Sequence, residues 1–257
     1  MGSAAARLLH LSGHRVVILE RPQPLAVRRL VAFAGAVFQA RVEIEGVAAM
    51  RVEDLGGDHA GAIPLLVDPE ARSLPRLQPD VLVDARMAKA PLDTRREQAR
   101  VVIGLGPGFH AGRHVHAVVE TQRGPDLGRV IWDGEAATNT SEPAPVLGHT
   151  HERVLRAPCP GVFRGRVRLG ERVEAGATVG EVDGQAVIAL VGGILRGLLA
   201  DGVRVEAGVK LGDVDPRGVP ADRISDKARA VAAGVAEAVA LGLRRSGCHP
   251  GGDRLSS

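Results

Sequence analysis

The strongest constraint on this chain is an internal repeat: residues 157–183 recur at 189–215 with a constant offset of 32, and 13 of 27 positions are identical. The identities include Gly161/Gly193, Arg164/Arg196, Val173/Val205, Glu174/Glu206 and Asp183/Asp215, and each copy carries a Gly-x-x-Val-x-x-Gly turn, at Gly170–Gly176 and Gly202–Gly208. A β unit of this size cannot bury a core alone, so the copies are expected to interlock as one sandwich of short strands. The 33 Gly and 16 Pro, spread among Ala, Val and Leu, agree with many short elements and tight turns.

Charge narrows the partners. The chain has 33 Lys+Arg against 30 Asp+Glu, a net +3, and no block of five cations. Only Lys89, Lys210 and Lys227 are lysines, aromatic residues are 2% of the chain and Tyr is absent. A basic patch and stacking platforms for nucleic acid are therefore not expected. No run of 18 apolar residues and no secretory start are seen, so no membrane partner is expected and the expected location is cytoplasmic. Cys159 and Cys248 show no metal or redox spacing.

The front half reads as an α/β domain. An Ala/Leu helix over 2–11 stops at Ser12-Gly13, and a buried strand over 14–19 ends at Glu20. This is the second half of a βαβ unit, in which Gly2 would be the last glycine of a phosphate turn and Glu20 would bond a ribose hydroxyl. The preceding strand is not in the sequence. A start placed too late, a non-native Met-Gly-Ser leader and a fold lacking that strand all remain open. The segment 25–33 has helical spacing with Arg28 and Arg29 in its middle; adjacent helical residues point about 100° apart, so a solvated edge competes with a joint anion contact. Residues 37–44 and 47–52 read as a hairpin about Glu45-Gly46.

Short apolar runs at 64–67, 81–83, 101–103, 115–119 and 129–132 read as strands of a mostly buried sheet. Ligands of open α/β sheets bind outside the carboxyl ends of strands, which marks one rim as the place for a site. Asp84 and Arg86, two residues apart, share a face and either pair with each other or bracket an anion. Gly104, Gly106 and Gly108 would let backbone amides form an anion nest. His114, His116 and Glu120, at i, i+2 and i+6, would face one side of a strand as a metal or acid–base set, or simply line an exposed edge. Arg123, leaving the next strand end, is the better candidate for an anion contact.

The run Ala157-Pro158, Gly161-Val162-Phe163 and Gly170-x-x-Val173-x-x-Gly176, followed by its repeat, resembles the biotinyl/lipoyl hammerhead. The resemblance implies a modifiable lysine on the central hairpin; here that hairpin is Asp183-Gly184-Gln185-Ala186, and Lys210 falls in a turn of the second half. The module therefore reads as a scaffold or docking piece. Ser225 then caps a helix with a stripe at Val231, Val235, Val239 and Leu243. The expected layout is a Rossmann-like α/β domain over 1–150, a β barrel-sandwich module over 151–218, a packed helix over 219–243 and a disordered tail over 244–257.

The motifs at Glu20–Arg29, Leu66–Pro69, Asp80–Lys89, Ile103–Phe109, Val115–Thr121 and Ile224–Lys227, taken in order, resemble the YqeB-type accessory proteins of selenium-dependent molybdenum hydroxylases. The resemblance implies a role in cofactor maturation alongside a molybdenum hydroxylase or its maturation proteins, with no settled reaction. It suits a phosphate-bearing ligand, such as a molybdopterin nucleotide or a selenium donor, held by the residues named above. Neither cysteine is placed convincingly for thiolate chemistry. A non-catalytic docking chaperone for the apo-hydroxylase and an NAD(P)-dependent oxidoreductase are the competing classes.

Overall fold

The structure, a computed structural model, describes residues 1–57, 59–87, 93–138 and 145–247. Lys89, Cys248 and the tail from 248 onward lie outside the described residues. The chain is mixed α/β, with many short strands, few helices and two stretches of parallel pairing. It packs as two compact units built from separated stretches: 1–14, 71–140 and 225–257 in the first, 15–70 and 141–224 in the second. The division thus does not fall near residue 150, and 151–218 is not a free-standing module, because residues 15–70 pack with it.

In the first unit the strands Val81–Asp84, Val101–Leu105 and Ala117–Val119 run parallel, with Val130–Ile131 antiparallel at one side. Val101–Leu105 is buried along its whole length, which explains its continuous apolar run. The strand ends are staggered so that Asp84 lies beside Gly104, and Leu105 beside Val119. The helices Gly2–Leu11 and Asp226–Arg245 pack against each other, and the second covers the sheet.

The second helix starts where sequence places it. Ser225 Oγ accepts the Ala228 amide at 3.2 Å, Asp226 sits in the first turn and Arg244 and Arg245 in the last, each sign matching the helix dipole. It extends to Arg245, so the first residues of the expected tail are helical. Val231, Val235 and Val239 are buried, each worth about 1.5–3 kcal/mol. The close approach to the sheet is made by glycines: a Cβ on Gly234 would lie 2.0 Å from the Gly128 carbonyl oxygen, and one on Gly242 would lie 2.6 Å from Val101 Cγ1.

The second unit contains the other parallel stretch. Ile18–Glu20 pairs in parallel with Ile63–Val67, which pairs in parallel with Val47–Val52, and Arg41–Ile44 closes the order antiparallel. Hence no single Rossmann-like sheet forms among the described residues. Among the described residues the strand Ile18–Glu20 has only Ile63–Val67 as neighbour, the strand Val81–Asp84 has only Val101–Leu105, and the two sheets lie in different units. The hairpin about Glu45-Gly46 forms, but Ala36–Gln39 is a short helix and the first strand begins at Arg41. The expected helix over 25–33 is replaced by two 3-10 turns, at Arg29–Val31 and Phe33–Gly35. Tertiary bonding overrides helical spacing there: the Leu198 amide donates to the Val27 carbonyl at 2.8 Å.

The duplicated region forms two four-stranded antiparallel sheets of mixed parentage. Gly161–Gly165 and Thr178–Val182 of the first copy are joined by Arg204–Val205 of the second; Gly193–Leu198 and Lys210–Asp215 of the second copy are joined by Arg172–Val173 of the first. Positions 32 apart bury together in one core: Phe163 with Leu195, Val173 with Val205, and Val182 with Val214. Asp183 and Gly184 take the left-handed turn between Thr178–Val182 and Gln185–Ile188, at φ 43° and 85°. Lys210 opens a strand and is not in a turn.

Replacing Gly234 by Ala tests the helix seat. Helix propensity alone would favour Ala by about 1 kcal/mol. Overpacking against fixed backbone costs about 1–3 kcal/mol, so a net loss of roughly 1 kcal/mol is expected in chemical denaturation. The exposed neighbour Ala233 replaced by Gly supplies the bare propensity effect for comparison.

Candidate functional site

The strand ends of the first unit form a bonded rim. Asp84, 6% exposed, receives Arg86 through the Arg86 amide at 3.0 Å, Nε at 3.1 and 3.2 Å, and Nη2 at 2.7 Å. Arg86 Nη2 also reaches Asp93 at 2.7 Å and Thr94 Oγ1 at 2.8 Å, and the buried Thr94 hydroxyl donates to Asp84. The hydrogen bond to Asp84 raises the Arg86 guanidinium above its ordinary value, and Arg86 in turn holds Asp93 below its own. The pairing reading of Asp84 and Arg86 is therefore the one the structure shows. Gly2 abuts the same strand end, where a Cβ would lie 2.9 Å from Ala85 Cβ.

The glycines in and after the end of Val101–Leu105 make room for neighbouring side chains. A Cβ on Gly104 would collide with the ring of Phe109 at 2.4 Å, and one on Gly106 with Thr121 Oγ1 at 2.5 Å. The Gly106 amide bonds Val119 O at 2.9 Å, while Gly108 is the exposed glycine of the turn. Glu120 is 5% exposed and accepts three backbone amides, from Thr121 at 2.7 Å, Gln122 at 2.6 Å and Ala137 at 2.7 Å. Arg123 forks onto Asp226 at 2.8 and 3.0 Å. His114 and His116 are not a set with Glu120, because the strand begins only at Ala117. His116 Nδ1 accepts the Val102 amide at 3.0 Å and His114 Nδ1 accepts that of His110 at 3.2 Å. Burial and then Arg96 push His116 below its ordinary value.

The remaining candidates belong to the second unit. Glu20 ends its strand and accepts the Arg21 amide at 2.8 Å; burial raises its carboxyl, against the pull of that bond. Arg28 and Arg29 diverge, as adjacent residues of a turn do. Arg29 Nε donates to Leu198 O at 2.8 Å and lines a groove of about 560 Å³ with Leu30, Phe38, Arg166, Arg168 and Asp201. Burial lowers the Arg29 guanidinium, and the charge of Asp201 opposes this. Arg28 turns instead to Asp213, at 3.4 Å.

Asp213 belongs to a buried charge cluster that sequence reading did not single out. Asp213 and Asp215 are 3% and 4% exposed, Lys210 Nζ reaches Asp213 at 2.7 Å, and Arg217 forks onto Asp215 at 2.8 and 3.0 Å. Arg196, 8% exposed, meets Asp215 at 3.1 Å. Burial opposes ionisation of Asp215, yet the Arg217 hydrogen bonds and the Arg196 charge bring it to about 2. The signal available in sequence was Asp213-x-Asp215-x-Arg217, where the first copy has Glu181, Asp183 and Gln185. Cys159 is half-buried, its thiol 3.5 Å from Val182 O. Among the described residues no cluster of three His, Cys, Asp or Glu side chains gathers for a metal, and no helix is long and apolar enough to cross a membrane.

The fold and these sites define a mixed α/β protein with a duplicated β region and arginine-rich polar sites on it. Over 247 residues the chain is 44% identical to the uncharacterized protein YqeB of Escherichia coli strain K12, a match covering 94% of this chain and 46% of that one. The chain is a homologue of this protein over nearly its own whole length, and spans about half the length of this curated relative. No model of a known protein family matches it. Solved structures give partial likenesses. An aspartoacylase family protein of Mesorhizobium loti is 20% identical over 25% of this chain and 23% of its own, with a TM-score of 0.23. A succinylglutamate desuccinylase/aspartoacylase of Rhodobacter sphaeroides is 27% identical over 24% of this chain and 21% of its own, with a TM-score of 0.22. The product-bound ectoine utilization protein EutE of Ruegeria pomeroyi is 10% identical over 77% of this chain and 84% of its own, with a TM-score of 0.28. At these scores none assigns the fold.

Replacing Asp215 by Asn leaves Arg196 buried without its counter-charge, and a loss of about 3 kcal/mol in unfolding free energy is expected. In the parent chain the depressed Asp215 carboxyl contributes stability that is complete above its ordinary value of 3.8 and is lost as pH falls through about 2. Denaturation midpoints measured between those values should fall less steeply with acid in the Asn variant.

Proposed function

We propose that this chain is an accessory protein in the maturation of selenium-dependent molybdenum hydroxylases, holding a phosphate-bearing ligand such as a molybdopterin nucleotide for assembly or insertion of the cofactor. The pathway rests on the motif resemblance; the observation that carries the ligand class is the groove of the second unit. It is lined by Arg29, Arg166 and Arg168 and by Leu30, Phe38 and Leu169, with Arg166 also paired to Glu181 at 2.5 Å, so that arginines and apolar side chains border the same space. Leu30 and Phe38 are 42% and 43% exposed, which is costly for a surface with no occupant. The groove volume, about 560 Å³, lies within the range of small-molecule sites. Arginines recognise phosphate oxygens with paired donors, and an exposed aromatic ring offers a stacking face for a heterocycle.

Holding without turnover, as a docking or chaperone protein for the apo-hydroxylase, is the form of this reading that the first unit favours. Asp84 and Glu120, carboxylates of the kind that act as acids and bases, are bonded to Arg86, Thr94 and three backbone amides. Carboxylates engaged in this way inside the fold are poorly placed to reach a substrate proton.

Calorimetric titration with a molybdopterin dinucleotide, and with a nucleoside diphosphate as the simpler probe, tests the groove. Saturable binding is expected, weakened about tenfold by Arg168→Ala. Unchanged affinity in that variant, or no binding of either probe, would overturn the assignment. Recovery of the nucleotide chemically intact after release would support holding; conversion would point to an enzyme.

A further inference from the structure

The groove of the second unit holds an acid as well as arginines. Its walls come from the same part of the two copies: residues 165–169 of the first, and Leu198, Ala200 and Asp201 of the second, 32 positions on. Each charged residue of these walls has an apolar counterpart, Arg166 matching Leu198, Arg168 matching Ala200 and Asp201 matching Leu169. Asp201-Gly202 and Leu169-Gly170 make the same turn, with Gly202 and Gly170 at φ 80° and 91°. The turn therefore forms on leucine as well as on aspartate, and the fold does not call for a carboxylate at 201.

The carboxylate is held in place by one oxygen only. Asp201 Oδ1 accepts the Gly165 amide at 2.8 Å, whereas Oδ2 has no hydrogen bond and no ion pair among the described residues. Its charge acts on Arg29, yet the two form no ion pair. A carboxylate bordering a phosphate site repels the phosphate by the same law through which the arginines attract it. A groove for phosphate alone is weakened by Asp201. An ionised carboxylate only accepts hydrogen bonds, so what complements it is an N–H donor on the ligand. Between that donor and the anionic end, a flat heterocycle would cover Phe38, which is 43% exposed.

We infer that Asp201 is the specificity residue of this groove and selects a 2-amino-4-oxopyrimidine edge, the pairing edge that guanine and pterins share; the inference rests on the groove assignment made above. That edge carries a ring N–H next to an exocyclic amine, two parallel donors that match the two oxygens of a carboxylate. Adenine and cytosine set an amine beside a bare ring nitrogen, whose lone pair would be turned against Asp201. Arg29 and Arg168 then take the anionic end of the ligand. Neither has a carboxylate partner among the described residues, whereas Arg166 is paired with Glu181.

Calorimetric titration of the full chain with guanosine, inosine and adenosine diphosphates tests the selection, because these share their phosphates and differ at the base edge. Guanosine diphosphate should bind about tenfold more tightly than inosine diphosphate, which lacks the 2-amino group, and than adenosine diphosphate. Asp201→Asn keeps an acceptor for the Gly165 amide and puts a donor in place of the free oxygen. It should lose the guanosine preference and favour xanthosine diphosphate, with an oxygen where guanine has its 2-amino group, by about tenfold. Pterin-6-carboxylate against lumazine-6-carboxylate, its 2-oxo counterpart, distinguishes the sources: a pterin preference that Asp201→Asn abolishes identifies a pterin, and a guanosine preference without it identifies a guanine nucleotide. Equal binding within both series, with every ligand weakened by Arg168→Ala, would sink the role of Asp201 and leave the groove assignment standing. A preference that survives in a folded Asp201→Asn variant would do the same. Binding of no probe at all would remove both.

Discussion

The exchange of one short strand between two copies of the same sequence is the interaction on which the second unit depends. Arg172–Val173 leaves its own copy to pair with Gly193, and Arg204–Val205 does the same with Gly161. Neither copy could close a core from its own residues. With the exchange, Phe163, Leu195 and the paired valines face one another in a single apolar cluster. Residues 15–70 then have a fixed surface to bond: the Val27 carbonyl and the Arg29 guanidinium both meet the backbone of Leu198. The groove and the charge cluster sit on either side of that seam only because Arg28 and Arg29, adjacent in sequence, leave it in different directions.

Duplication supplies a built-in comparison. Arg164 and Arg196 descend from one position, as do Asp183 and Asp215, yet the first pair stays near solvent and the second is buried together. The difference lies in what packs from outside the repeat and in two acquired cations, Lys210 and Arg217. A buried charged group gains little net stability over an apolar one of the same size, so its retention is better explained by specificity or binding than by stability. The first unit shows the opposite economy. There, Asp84, Glu120 and Arg123 are each bonded to neighbours in the chain, and the glycines of the strand ends make room for Phe109 and Thr121.

Local signals were legible wherever one physical rule acted alone. The helix over 226–245 follows from its cap and its valine stripe, the turn at Glu45-Gly46 from its two left-handed residues, and the pairing of the two copies from their identity. Reading failed where tertiary bonding competed with spacing. The segment about Arg28 has helical periodicity but spends its carbonyl on Leu198. His116 sits one residue before its strand, which breaks the alternation that would have aligned it with Glu120. The parallel strands were visible one by one, but not their division between two sheets, because alternation and apolar runs identify a strand without naming its neighbours.

By itself the sequence determined the repeat, the mixed α/β class and the capped start of the helix at Ser225, since these depend on composition and on contacts a few residues apart. Only the tertiary structure decided which arginines are spent and which face open space. Arg86 found Asp84 at its own strand end and Arg123 found Asp226 at the start of the helix, whereas Arg29 reached Leu198 from outside the repeat and Arg196 reached Asp215 by strand pairing within the second copy. A guanidinium's role is set by the nearest acceptor in space, and sequence distance does not encode that.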